Sequence, residues 1–444
     1  MSCLAKKSAA LAFCLGLGTI TASGSVQAEN LLEIFELART TDPVFQQAIA
    51  NRQAEEEALP QARAALRPDV SLNGGYSVID TESNLSGADS DDQYRQLSYG
   101  VSLSQPLYRS ATRSAVSVAN SRVEQARAEF ALAEQALIVR VAERYFAVLD
   151  ARAAVEAAEA SLTAIERQLE QAEQRFEVGV IARTDVEEAR AQSDLARAEL
   201  LQAEDDLENR REELRELTNQ APGLLDAVQA GIDLQRPEPA DIDRWRERAE
   251  AENQELAAAR LAAEAAMQTI DVERGGRHPT LDLVAGYDGI DRYGAGGRDP
   301  SSDQLSAGIE LSMPLYQGGG ISSQIREAQF RYTAARESLE STRRAVSRST
   351  ATAYRGVVTA LERVRALEQA RVSTQAALDA TEAGFEVGTR TIVDVLNAQQ
   401  ERFNAERDYE QARHAYLLNT LRLQQAAGSL SAADLARVNN LLGE

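Results

Sequence analysis

The sequence FEVGVIARTDV at residues 176–186 and the sequence FEVGTRTIVDV at residues 385–395 are two copies of one motif. Gly179 recurs as Gly388 and Asp185 recurs as Asp394, both at an offset of 209 residues. Other landmarks keep the same order and nearly the same spacing: QPLY at 105–108 returns as MPLY at 313–316, and Pro68 returns as Pro279. The chain is therefore an internal duplication, and the two copies should share one architecture.

Each copy predicts a helix, two short strands, a very long helix, a sharp turn and a returning helix. In copy one the first helix is predicted over 31–66, because Pro68 restricts the residue before it and lacks a donor. The segment 110–178 contains neither proline nor glycine, so it predicts one helix about 100 Å long. No compact domain needs a helix of that length. The returning helix is predicted over 184–217.

Alternation of apolar with polar or glycine positions predicts a pair of strands in each copy. The apolar positions are Val70, Leu72, Tyr76, Val78, Leu97, Tyr99, Val101 and Leu103 in copy one, and Leu281, Leu283, Ala285, Tyr287, Leu305, Ala307, Ile309, Leu311 and Met313 in copy two. The intervening segments 80–92 and 290–303 are rich in Ser, Gly and Asp and are predicted to be loops in water. Pro106 and Pro314 are predicted to mark direct transitions from strand to helix, since the first helical turn does not need proline's missing donor.

Residues 1–28 have the pattern of a secretory signal, with two lysines, an apolar run and then small residues. Both cysteines, Cys3 and Cys14, lie inside this segment, so the rest of the chain offers no thiol for a disulfide, a zinc site or a nucleophile. A lipoprotein signal acylated at Cys14 is the alternative, which the bulky Phe13 and the continuing apolar run disfavour.

The formal charge of −22 gives an acidic surface, which repels nucleic acid. Beyond the signal, no stretch approaches the roughly 20 apolar residues of a membrane-spanning helix, so a bilayer crossing would have to use strands. Four strands from one chain cannot close a barrel, and an open edge in lipid leaves backbone groups unpaired. Three chains would supply twelve strands, enough for a barrel with an open lumen.

No motif for catalysis or cofactor binding stands out. His278 and His414 lack a cluster of ligands and are interpreted as structural. The sequence shows no glycine-rich phosphate loop and no serine–histidine arrangement. We therefore predict no catalytic residue, no metal and no cofactor.

The copy-two motif FEVGTRTIVDVL at 385–396 and the segment 427–440 resemble the TolC family of trimeric outer-membrane efflux and secretion channels. The resemblance covers essentially the whole chain after the signal. It implies a mixed α and β membrane protein, in which a trimeric 12-stranded β-barrel with four strands per protomer continues into a long periplasmic 12-helix α-barrel. The implied division is a signal peptide at 1–28, a first repeat at 29–218, an equatorial linker at 219–241, a second repeat at 242–427 and an equatorial tail at 428–444.

The resemblance implies a passive duct in the outer membrane of a Gram-negative cell, reaching into the periplasm, and not an enzyme. Its implied partners are two further copies of the chain, a periplasmic adaptor, an inner-membrane pump of the RND, ABC or MFS type, and outer-membrane lipid. The alternatives are the periplasmic adaptor itself and a periplasmic coiled coil without a channel. An adaptor would carry one hairpin between small β-domains, and a coiled coil would leave the alternating strands unexplained.

The resemblance also implies a gate at the hairpin tips. Gly179 and Gly388 end the long helices, where the residue after a helix commonly adopts left-handed backbone dihedral angles. By match to the family motif, Arg390 would clamp the inner hairpin, which belongs to copy two, to Thr184 and Asp185 of the outer hairpin, which belongs to copy one. Bonds of this kind would set a closed state that a partner opens by binding the open state better.

Three positions at the copy-two tip extend this prediction. Asp394 would project into the pore, and threefold symmetry would make it a ring of three carboxylates. Asn397 stands where the family has a second aspartate ring, so the constriction should be less negative. Phe385 stands where family members often place a tyrosine bonded to the aspartate partner, so this latch should be weaker or differently arranged.

Overall fold

The computed structural model describes residues 29–85, 88–229, 231–232, 234–294 and 301–443. The predicted signal at 1–28 lies outside the described residues. The first repeat contains α1 (Leu31–Thr41), α2 (Pro43–Glu56), α3 (Ala58–Ala64), β1 (Asp69–Leu85), β2 (Ala88–Tyr108), α4 (Ser110–Glu177) and α5 (Arg183–Thr218). After β3 (Ala227–Val228) the second repeat contains α6 (Ile242–Glu252), α7 (Gln254–Gly275), β4 (Thr280–Tyr293), β5 (Ser301–Ser312), α8 (Gly320–Glu386) and α9 (Ile392–Ala427), followed by α10 (Ala432–Asn439) and β6 (Leu442–Gly443).

The two long helices confirm the prediction from composition. α4 has 68 residues and α8 has 67, so each is about 100 Å long. Their returning partners α5 and α9 have 36 residues each, roughly half that length. Each hairpin is therefore one full-length helix paired with a half-length helix.

The predicted single helix over 31–66 is wrong, because the chain forms three helices there. Asp42 caps α2 by accepting hydrogen bonds from the backbone N–H groups of Val44 and Phe45. Pro43 occupies the first turn of α2, where its missing N–H leaves no bond unmade. This Asp-Pro start signal interrupts the helix after Thr41.

Four of the strands form one antiparallel sheet in the order β1-β2-β4-β5. The register aligns Leu72, Val101, Tyr287 and Leu305 in one row across the sheet, and Val70, Leu103, Ala285 and Ala307 in another. Because side chains alternate between faces along a strand, these aligned rows put the apolar residues of all four strands on one face. Within a single protomer this face is uncovered: Leu72 is 80% exposed and Leu305 is 81% exposed.

The strands are longer than the apolar pattern predicts. The segment 80–92 was predicted to be a loop, but β1 continues to Leu85 and β2 begins at Ala88. In copy two, β4 continues to Tyr293 and β5 begins at Ser301, while 295–300 lie outside the described residues. Backbone pairing in a hairpin needs no apolar side chains, so the ladder runs on into polar sequence.

The prediction of direct strand-to-helix transitions at Pro106 and Pro314 is also wrong. Pro106 lies within β2 at a register irregularity, and α4 begins only at Ser110. In copy two, β5 ends at Ser312 and α8 begins at Gly320, so Pro314 lies in a connecting segment. Proline disrupts the ladder locally in copy one, and Gly319, with φ 86°, provides the left-handed turn before α8 in copy two.

The helices form one layer in each half of the protomer. In the tip half, α4 packs against α5 and α9, and α9 packs against α8. In the half next to the sheet, α4 packs against α2 and α7, and α7 packs against α8. The layer therefore has α8 at one edge and the α2 and α5 helices at the other.

The largest apolar core lies near the middle of the long helices. Trp245, Tyr145 and Leu421 are among its fully buried side chains, and the indole N–H of Trp245 donates to the Pro239 carbonyl at 2.8 Å. The linker and the tail meet at this core, because β3 pairs with β6 in an antiparallel ladder. Among the helices that the structure describes, none is long and apolar enough to cross a bilayer.

Candidate gate at the hairpin tips

The two hairpin tips have the same turn geometry. Gly179 follows α4 with φ 76°, and Gly388 follows α8 with φ 75°. The N–H of each glycine donates to the carbonyl of the phenylalanine three residues before it, at 2.9 Å for Gly179 and 3.1 Å for Gly388. A Cβ at either glycine would meet nothing within 4 Å, so the backbone conformation alone requires glycine.

The returning helices begin differently. α5 starts at Arg183 without a side-chain cap, whereas α9 starts with a capping box formed by Thr391 and Asp394. The backbone N–H of Thr391 donates to Asp394 Oδ2 at 2.9 Å, and its hydroxyl donates to the same oxygen at 3.0 Å. These bonds, together with the nearby Arg390 charge, lower the pKa of Asp394. Asp394 is therefore a firmly ionised carboxylate at the start of the helix.

Asn397 lies three residues after Asp394, on the same face of α9. Its side chain is exposed, and that of Asp394 is half-exposed. One protomer supplies one such pair, so the predicted ring of three carboxylates stays a prediction.

Arg390 is positioned by Gly384. The backbone N–H groups of Thr389 and Arg390 both donate to the Gly384 carbonyl, at 2.8 and 3.2 Å. A Cβ on Gly384 would lie only 2.8 Å from Cγ of Arg390, so the arginine stem packs where a side chain at 384 would stand. The absence of a side chain at this position leaves room for the stem of Arg390 against the turn.

Arg390 does not meet its predicted partners inside one protomer. Among the described residues, no hydrogen bond or ion pair joins Arg390 to Thr184 or Asp185. The Thr184 hydroxyl instead lies 3.4 Å from Asp185 Oδ1. The clamp stays a prediction, and it requires Thr184 and Asp185 of a neighbouring copy.

Phe385 has a partner that the sequence did not reveal. The guanidinium carbon of Arg175 lies 4.6 Å from the centroid of the Phe385 ring. Arg175 belongs to the last turn of α4, and Phe385 to the last turn of α8, so the contact joins the two hairpins. The only sequence signal is indirect: Arg175 precedes the first motif copy, and Gly384 occupies the equivalent place in the second.

A small apolar cluster packs the two hairpins together near their ends. We call it the tip cluster; its buried members are Ile165, Ala172, Val186, Ala189, Ala196, Ile392 and Leu396, and Phe385 packs against it. A partly buried hydrogen bond accompanies it, from the Ser161 hydroxyl of α4 to the Gln400 side chain of α9 at 2.9 Å. Helix α4 contributes Ile165 and Ala172 to this cluster, whereas Phe176 near the end of α4 is 43% exposed.

Within the described ranges, no group of three His, Cys, Asp or Glu side chains is placed to hold a metal ion. His414 is buried and packs its ring on Phe146 at 5.4 Å between centroids, with Nδ1 2.6 Å from Asp150 Oδ1. This pair links α9 to α4 within the core.

Comparison with known proteins decides the family. The family described as outer membrane efflux protein matches residues 34–220 and 245–429, which are the two repeats. The chain belongs to the outer membrane efflux protein family. Both halves of the duplication match it, so membership extends over most of the chain.

Relatives within the family agree with this assignment. The outer membrane protein TolC of Vibrio cholerae serotype O1 is 37% identical over 426 residues, 95% of each chain. The alkaline protease secretion protein AprF of Pseudomonas aeruginosa is 31% identical over 417 residues, 92% of this chain and 86% of AprF. Like the TolC relative, the family member described here is a protein of the outer membrane.

A solved structure shows the same fold. The outer membrane protein VceC of Vibrio cholerae superposes with a TM-score of 0.72 at 22% sequence identity, covering 90% of this chain and 96% of VceC. The chain and VceC therefore share one fold.

Proposed function

We propose that three copies of this chain close into one passive duct, with a β-barrel in the outer membrane and a helical barrel below it. The observation that carries the proposal is the sheet. Its order β1-β2-β4-β5 leaves β1 and β5 as edge strands, and its apolar face is uncovered in the single protomer. Lipid requires that backbone groups be paired, so β5 of one copy has to join β1 of the next.

The helical layer supports the same closure. The edge that bears β1 also bears α2 and α5, and the edge that bears β5 leads through the connecting segment 313–319 into α8. Joining β5 to β1 therefore brings α8 of one copy against α2 and α5 of the next. Head-to-tail contacts of this kind close into a ring, and three protomers give twelve strands and twelve helical positions.

The tips would form the gate of this duct. Gly179 and Gly388 turn the chain at the ends of the two hairpins, and the tip cluster packs these ends together. Arg390 would reach Thr184 and Asp185 of the neighbouring copy, and Asp394 with Asn397 would face the narrowed pore. A periplasmic adaptor and an inner-membrane pump of the RND, ABC or MFS type would open the gate by favouring separated hairpins.

The substrates would be those of efflux and of type I secretion. TolC is similar over nearly the whole chain, and AprF is named for the secretion of an alkaline protease. The duct itself would carry out no reaction, and the energy for transport would come from the pump. The two-hairpin duplication and the paired amphipathic strands do not favour an adaptor or a non-channel coiled coil.

Purification in detergent and insertion into planar bilayers test the proposal. We expect a trimer that resists SDS at room temperature and dissociates on heating, and a small conductance with few openings. We also expect fractionation to place the protein in the outer membrane. A stable monomer in detergent, or a trimer that never conducts, would contradict the duct.

A further inference from the structure

Arg175 and Phe385 meet at the boundary between the outer hairpin, α4 with α5, and the inner hairpin, α8 with α9. The guanidinium carbon lies 4.6 Å from the ring centroid, within the range of a cation–π interaction. Both side chains are half-buried, which limits competition from water. Among the described residues, no carboxylate forms an ion pair with Arg175, so its charge is directed at the ring.

The two repeats contribute different partners to this contact, and the reciprocal contact is not seen in the described residues. Phe176 and Phe385 are equivalent positions of the repeated motif, yet no cation lies over the Phe176 ring in the described part of the chain. The residue before Phe176 is Arg175, and the residue before Phe385 is Gly384. The first repeat of the chain therefore supplies the cation, and the second repeat supplies the aromatic ring.

The contact also connects to the residues of the candidate gate. Phe385 packs against the tip cluster on one side and lies one residue after Gly384, on which the stem of Arg390 packs. Separating the inner hairpin from the outer one would break the contact between Arg175 and the Phe385 ring. The contact is thus placed to resist that separation.

We propose that the Arg175–Phe385 contact is a tie between the two hairpins that favours the closed tip; this rests on the proposed function of the chain as a gated duct. Arg175 and Phe385 are positioning residues in this account, because they hold helices and do not contact the transported substrate. The tie takes the place of a hydroxyl-mediated latch, since Phe385 has no hydroxyl to donate.

The size of the effect follows from the strength of such contacts. A cation–π pair at a partly exposed site changes an equilibrium by about twofold to fivefold. If three protomers open together, losing all three ties should raise the ratio of open to closed channels by about tenfold to a hundredfold. Changes of this size are measurable as open probability in planar bilayers.

The test is a double-mutant cycle with Arg175→Gln, Phe385→Leu and the double variant. Each single variant should raise the open probability, and the double variant should raise it no further, because either change alone removes the contact. Phe385→Tyr keeps the aromatic ring and adds the hydroxyl that family members often carry at this position, so its open probability should not exceed that of the parent chain. Arg183→Gln removes a tip arginine that pairs only with Glu187 in the described residues, and Phe176→Leu changes the equivalent phenylalanine; both should leave opening unchanged.

Three results would overturn the tie: unchanged opening in Arg175→Gln, additive effects in the double variant, or an equal increase in Arg183→Gln. These outcomes differ from failure of the proposed function. If the parent trimer conducts and the variants behave like it, only the tie is wrong. If the parent trimer never conducts, the duct and the tie that rests on it both fail.

Discussion

Arg109 donates two hydrogen bonds to Asp282, from Nε to Oδ1 and from Nη2 to Oδ2, both at 2.9 Å. Arg109 is the residue immediately before α4, and Asp282 lies near the start of β4. The pair therefore joins the start of α4, in the first repeat, to β4, in the second repeat. It fixes the angle at which the helices leave the sheet, at the point where Pro106 disturbs the β2 ladder.

Replacing Asp282 by asparagine should weaken this junction. The substitution removes the charge and one acceptor of a bidentate bond, a loss of about 1.5 kcal/mol per protomer, at the low end of the range because Arg109 is 40% exposed. We expect the trimer to dissociate at a lower temperature in a gel-shift assay. Glu310 is the cross-strand neighbour of Asp282, so Glu310→Gln is the matched control and should leave the dissociation temperature unchanged. Equal shifts in both variants would show that only the net charge matters.

Replacing Asp394 by alanine should weaken block of the channel by multivalent cations. Three ionised carboxylates held at the pore would attract such cations, and alanine would abolish that field. Block is measured as the loss of conductance on adding a trivalent cation to the periplasmic side. Glu386→Gln is the control, because it removes an exposed tip acid outside the predicted ring. Undiminished block in Asp394→Ala would place the cation site elsewhere.

The block by multivalent cations should also depend on pH, and the hydrogen bonds from Thr391 to Asp394 should set the pH at which it is lost. Bonds from Thr391 lower the pKa of Asp394, so the carboxylate keeps its charge, and its cap, at pH values below the usual aspartate range. Block should then fade only as the pH falls through this lowered pKa. Thr391→Val loses the hydroxyl donor but keeps the backbone donor, so block should fade at a higher pH. Thr389→Val removes a tip hydroxyl that donates to the Gly384 carbonyl, and its block should titrate like that of the parent. Identical titrations in all three proteins would refute the assignment.

Replacing Arg390 by serine should raise the single-channel conductance. Within one protomer Arg390 has no bond to Thr184 or Asp185 in the described structure, so the predicted clamp acts between copies. The charge-assisted bond is expected to contribute about 1.5 to 3 kcal/mol where it is shielded. Exchanging the charges with Arg390→Asp and Asp185→Arg together should restore a low conductance. If the exchange restores nothing, Asp185 is not the partner.

Much of the fold follows from local sequence rules. The long helix was predicted over 110–178 and is observed as Ser110–Glu177, because no proline or glycine interrupts it. The helix predicted over 31–66 fails for the opposite reason: Asp42 and Pro43 form a strong start signal inside an otherwise continuous pattern. The predicted ends of the strands are wrong because backbone pairing in a hairpin extends beyond the apolar residues from which a strand is predicted.

The candidate site is less predictable, because its contacts join distant parts of the chain. The turns at Gly179 and Gly388 are local features, and the repeated motif predicted both of them. The Arg175–Phe385 and Asp150–His414 pairs each join the first repeat to the second, so they depend on how the two hairpins pack. Contacts between copies depend in addition on closure of the ring, which no single-chain pattern encodes.

Two glycines with the same backbone conformation should respond differently to substitution. Gly388 has φ 75° with open space around it, and Gly428 has φ 81° in contact with the backbone of α6. A Cβ at Gly428 would lie 2.4 Å from the Glu252 carbonyl oxygen and 2.5 Å from Cα of Asn253. Gly388→Ala should therefore cost only the left-handed strain, about 1 kcal/mol, whereas Gly428→Ala adds a backbone clash that costs about 1 to 3 kcal/mol more.

Asparagine separates these two causes, because it tolerates left-handed dihedrals but has a Cβ. Gly388→Asn should assemble in the outer membrane as well as the parent chain, since no atom obstructs the new side chain. Gly428→Asn should remain as damaging as Gly428→Ala, since the carbonyl oxygen of Glu252 and the backbone of Asn253 cannot move without displacing the junction of α6 with α7. The yield of heat-dissociable trimer in outer-membrane fractions measures both. If asparagine rescued position 428, the strained dihedral and not the close packing would explain why glycine stands there.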